Sequence, residues 1–91
     1  MKYRPSSTWN VSGLTNRQRE HYEIAKSFTR AFTASEYRDR YLSAYPDRVE
    51  GSIMPRDHAV NNNQRLKDRY PLFLEKLGHG EYRFIGLVDP H

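Results

Sequence analysis

The pattern of the chain predicts an α+β fold, mostly α, built of three helices followed by a two-stranded β-hairpin. Three observations carry it. Two segments open on capping boxes and continue with apolar residues at three- and four-residue spacing. A third segment opens on a serine and runs into Asn61-Asn62-Asn63. Near the end, two β-prone runs are separated by Gly78-His79-Gly80, a short glycine-flanked link of the kind that turns hairpins.

The first helix starts at Thr15, with Gln18 completing a Thr-x-x-Gln box. His21, Ile24, Ala25, Phe28 and Phe32 then fall on one face of a helix of about four turns, with Arg17, Arg19, Glu20, Glu23, Lys26 and Arg30 on the rest. The second helix has the clearest start. Thr33 caps it, Glu36 closes the box, and Phe32 and Tyr37 staple its entry. Ala34, Tyr37, Tyr41, Leu42 and either Ala44 or Tyr45 form its inner face, leaving Arg38, Asp39 and Arg40 to water. Tyr45-Pro46 ends it, because the residue before a proline is pushed out of the helical region.

After a turn at residues 46–51, in which Val49 is expected in the core, Ser52 caps a third helix over residues 52–63. Pro55 sits in its first turn, where a missing N–H costs nothing. Residues 64–71 read equally as a loop or as a continuation of that helix. The runs 72–77 and 81–87 form the hairpin, which must pack on the helices because an isolated hairpin is marginal in water. Helix, helix, helix, hairpin is the order of a winged helix-turn-helix, whose third helix enters the DNA major groove. The expected organisation is a flexible N-terminal arm over residues 1–13, the domain over 14–88 and a tail over 89–91. A basic arm can reach a DNA minor groove, as homeodomain arms do, but the plainer reading is a frayed end with Trp9 covering a core edge.

Composition agrees with one small cytoplasmic domain. The 91 residues include no cysteine, which excludes disulfides and thiolate metal sites. The start, Met1-Lys2-Tyr3-Arg4-Pro5, has no apolar stretch behind it and does not read as a signal peptide. Fifteen Lys and Arg against eleven Asp and Glu give a net charge of +4 and a pI near 9.6, which favours an anionic partner. Histidines 21, 58, 79 and 91 lack metal-ligand spacing, and no glycine loop cradles a phosphate. Neither an enzyme nor a cofactor is expected.

From Gly51-Ser52-Ile53-Met54-Pro55-Arg56-Asp57, through Asn61-Asn62-Asn63, to Gly78-His79-Gly80-Glu81-Tyr82-Arg83-Phe84, the chain resembles small winged-helix domains of bacteria and their phages. Some of these lie beside or are fused to restriction-type nucleases. Phe32-Thr33-Ala34-Ser35-Glu36-Tyr37 matches the usual start of their second helix. The resemblance covers roughly residues 14–87. It implies the fold and a DNA-linked role, which extends to reading modified or damaged DNA for a restriction or anti-phage system, and it carries over no catalytic residue.

On this reading Ser52 starts the recognition helix and Arg56 reads guanine O6 and N7. Asn61, Asn62 or Asn63 pairs with adenine, or simply closes the helix as a C-cap. His58 meets a base or a phosphate, Arg65, Lys67 and Arg69 hold phosphates, and His79 and Arg83 place the hairpin on the backbone. The expected partner is double-stranded DNA, with a homodimer or a partner protein such as a nuclease subunit supplying further surface. The alternative is a protein-interaction module on the same scaffold, with Tyr3, Tyr41, Tyr45 or Tyr70 forming the partner patch.

Overall fold

The structure, a computed structural model, describes residues 3–61 and 70–89. It is an α+β domain with a three-stranded antiparallel sheet. Helix α1 spans Asn16–Lys26, strand β1 Phe32–Thr33, helix α2 Ala34–Ala44, and strands β2 and β3 Leu72–Gly78 and Glu81–Val88. The strand order is β1-β3-β2.

Both helix starts follow the capping boxes. Thr15 accepts from Gln18 N–H and Thr33 from Glu36 N–H, while each glutamine or glutamate side chain returns to the cap's own N–H. α1 is shorter than the apolar spacing suggests, because Ser27 Oγ donates to the Ile24 carbonyl and the chain leaves the helix. Phe28 and Phe32 therefore stack on each other at 4.3 Å outside any helix. Phe32 and Thr33 pair with Tyr82 and Glu81 as a third strand. The extended backbone that a cap requires at Thr33 also suits a sheet edge, so one dipeptide serves both elements.

The third helix expected over residues 52–63 does not form in its described part. Glu50–Ser52 and Pro55–His58 are separate 3₁₀ turns, with Ile53 and Met54 extended between them. Pro55 is the cause on one side, since the residue before proline avoids the helical region. On the other side Ala59 forms a parallel bridge with Leu74, and a bridge requires extended backbone where the helix would run. Ser52 caps nothing. Its hydroxyl donates to Val49 O and accepts from Arg17. Val49 itself is 71% exposed rather than in the core. Residues 64–69, the greater part of the stretch read as loop or helix, lie outside the described residues, as do Asn62 and Asn63.

The hairpin forms as expected, turning at Gly80 with φ +70°. Its far end is bulged: Leu72 pairs with Val88 but Leu74 with Phe84, and Gly86 at φ +82° takes up the surplus. The outer edge of β2 is closed by the chain that follows the Pro55–His58 turn. Val60 N–H donates to Leu74 O, and the Asn61 amide both accepts from Lys76 N–H and donates to Lys76 O. An asparagine side chain thus stands in for a neighbouring strand.

The main core gathers Tyr22, Ile24, Phe28, Phe32, Tyr37, Tyr41, Ile53, Phe73 and Tyr82 around the sheet and both helices. A second cluster joins Tyr3, Val60, Leu72 and Val88. The N-terminal stretch lies on the sheet from Tyr3 onward. Pro5 bridges Val88, Ser6 N–H donates to Leu87 O, and Tyr3 Oη donates to the Glu75 carboxylate.

Candidate nucleic-acid interface

The start of α2 is pinned to the hairpin turn, since Ala34 N–H donates to Gly80 O at 2.9 Å. Beside this contact lies a hollow of about 180 Å³ lined by Ala34, Arg38, Ile53, Met54, Pro55, Arg56 and Tyr82. Three separate pieces of chain therefore meet: the first turns of α2, the segment 53–56 and the start of β3. Ile53 is 1% exposed and anchors the floor, whereas Arg56 is exposed on its turn. Burial raises the Tyr82 hydroxyl's pKa, and the nearby Arg56 charge opposes that rise. Arg38 comes to within 4.0 Å of Glu50, an exposed and loose pair that water screens.

Two arginines from different elements, Arg38 and Arg56, line one concave place. Such an arrangement suits an anionic group, for which a planar fork of donors is the best-matched side chain. His79 precedes Gly80 at the exposed hairpin tip, next to the Ala34 contact. Arg83 does not join this group. Successive strand residues leave opposite faces, and Arg83 stands opposite Glu75, to which its Nε donates at 2.7 Å.

Three expected contact residues are placed otherwise. His58 is 4% exposed, bonded through Nδ1 to Pro71 O and stacked on Phe73, so it is a core residue. Asn61 spends both ends of its amide on Lys76 and is not presented to a base edge. Ser52 is held by Val49 and Arg17. Asn62, Asn63, Arg65, Lys67 and Arg69 fall outside the described residues. The tyrosine patch also dissolves in part, because Tyr41 is fully buried and Tyr3 is 8% exposed.

The α2 pattern points Arg38 to water, yet it lines the hollow. Its position four residues after Ala34 puts the two on one helix face, but only the docking of the hairpin turn makes that face concave. Glu20, placed among the solvent residues of α1, is buried. Its carboxylate accepts from Tyr41 Oη and from both Nε and a terminal nitrogen of Arg48. The Arg48 contact is the main reason its pKa lies below the ordinary value.

No described helix is long and apolar enough to cross a membrane. Comparison with protein-family models, with curated proteins and with solved structures gave no match to this chain.

Proposed function

We propose that this is a winged-helix-like module that binds double-stranded DNA through its phosphates, with Arg38 and Arg56 at the hollow and the hairpin alongside. The observation that carries the reading is the convergence of those two arginines beside the hairpin turn. The net charge of +4 and the short strand joining two helices ahead of a terminal hairpin support it. A four-residue turn at Pro55–His58 presents little surface to a major groove. The contacts proposed are therefore with the backbone, which positions a protein without reading sequence.

Binding of the full chain to a fluorescent random-sequence duplex tests this at about 50 and 200 mM salt. The expected result is measurable binding that falls steeply with salt, because each neutralised phosphate releases counterions. Arg56→Ala and Arg38→Ala should each weaken binding and reduce the salt slope by about 1. Absence of binding at low salt and high micromolar protein would reject the proposal.

A further inference from the structure

His21 on α1 and His58 on the Pro55–His58 turn face each other inside the core, with ring centroids 4.9 Å apart. They are 6% and 4% exposed. Their hydrogen bonds define the proton already present on each. Pro71 O can only accept, so His58 Nδ1 at 2.9 Å carries a hydrogen. Tyr37 Oη donates to His21 O at 3.1 Å, so its lone pair accepts from His21 Nδ1–H at 2.8 Å. Each ring is thus satisfied as the neutral Nδ1–H form, and a further proton would go to Nε2 and leave a buried cation.

The surroundings do not favour that cation. Around His21 stand Tyr37 and Tyr41 from α2, both neutral, and Arg17 and Glu20 from its own helix. Arg17 repels it, and the Glu20 carboxylate is already engaged by Arg48 and Tyr41. His58 is packed by Phe73 of β2 and by Tyr70, and among the described residues its acidic neighbour is Asp57. Burial first, then the opposing histidine and Arg17, bring the His21 pKa down to about 3. Burial likewise lowers that of His58, against the pull of the Pro71 carbonyl and Asp57.

We infer that His21 and His58 form a proton-sensitive latch between α1 and the turn that carries Arg56. A proton is taken up more readily when the two rings part, so mild acid weakens the hold of the Pro55–His58 turn on α1. The direction follows from linkage. Groups with depressed folded pKa values add stability that is complete above their unfolded pKa of about 6.5 and drains away as pH falls toward the folded value. The latch does not depend on nucleic-acid binding; where that binding holds, acid would also remove Arg56 from its place.

Urea unfolding of the full chain at pH 7.5 and 5.5 tests the latch in wild type, His21→Gln, His58→Gln and the double variant. Glutamine keeps a donor and never charges. His21, neutral in the fold across that interval, should account for a loss of about 10-fold in the folding equilibrium constant, and His58 should add to that loss in the same direction. The double variant should therefore lose at least about 10-fold less than wild type. An unchanged pH dependence in the double variant would overturn the inference. Should the variants not fold, proton NMR of wild type decides. The folded-state ring signals of His21 and His58 should stay still from pH 8 to 5.5 while a second, unfolded set grows. A folded-state signal of either ring that titrates with a midpoint near 6.5 would sink it.

Discussion

Single side chains in this core do two jobs at once. Tyr37 is fully buried and stacks on Phe32 at 5.6 Å, while its hydroxyl is both donor and acceptor to His21. Burial holds that hydroxyl well above its ordinary pKa, so it stays protonated and able to donate. Tyr37→Phe keeps the ring and deletes the hydroxyl, leaving His21 Nδ1–H and its carbonyl without this partner. We expect a cost of about 1–3 kcal/mol in urea unfolding, with little change in fold by circular dichroism. A cost under about 0.5 kcal/mol would mean that water replaces the hydroxyl. Glu20 shows the same economy, tying α2 through Tyr41 and the loop beyond it through Arg48. Its lowered pKa makes that contribution present above the ordinary carboxylate value and lost as pH falls through the folded one. Glu20→Gln should therefore flatten the acid limb of the stability profile, which thermal melts at pH 3 to 6 would register.

At the scale of elements, the sheet edge explains most of the difference between pattern and structure. Residues 59–61 close the outer side of β2, and this requirement wins over a weak helical signal interrupted by Pro55. Asn61 is the visible sign of it. Asn61→Ala should cost about 1 kcal/mol, since two exposed edge groups of Lys76 return to water. It should also leave DNA affinity and its salt slope unchanged, whereas a base-reading asparagine would lose specificity on the same substitution. Parallel urea and anisotropy measurements on one preparation separate the two roles. The Gly86 bulge makes a matching point. At φ +82° an alanine is strained whatever the space, so Gly86→Ala should destabilise the hairpin by about 1–2 kcal/mol.

At the scale of the whole molecule, residues 4–7 and Asp89 close on each other. Arg4 O accepts from Asp89 N–H, and Ser7 N–H and Oγ both donate to the Asp89 carboxylate. These contacts lower the Asp89 pKa, the Ser7 backbone N–H foremost. Tyr3 completes the second cluster and supplies a donor to the buried Glu75, which Arg83 also engages. A domain of 91 residues buries a modest fraction of its surface, so each such fastening is a large share of its stability. Tyr3→Ala should cost about 3 kcal/mol and lower Tm by roughly 12 °C or more. An unaltered Tm would show that the N-terminal stretch is not fastened in solution.

Local signals were legible in the sequence because they act over a few residues. Thr15 with Gln18, Thr33 with Glu36, the Tyr45-Pro46 stop and the Gly78-His79-Gly80 turn each specify backbone through neighbours in the chain, and all lie where the spacing puts them. The exposure of Arg56 and His79 was legible too, although Arg56 reads as a helix residue in the sequence and stands on a 3₁₀ turn in the structure. What the chain pattern could not decide depends on partners far away in sequence. His58 and Asn61 look like surface readers until Pro71, Phe73 and Lys76 are brought against them. Glu20 looks solvated until Arg48 arrives, and Arg38 borders a hollow only once the hairpin turn docks on α2. Local propensity is worth tenths of a kcal/mol per residue, whereas a pairing at a sheet edge or a buried hydrogen bond is worth about one or more. Where the two compete, as over residues 52–61, the tertiary contact decides.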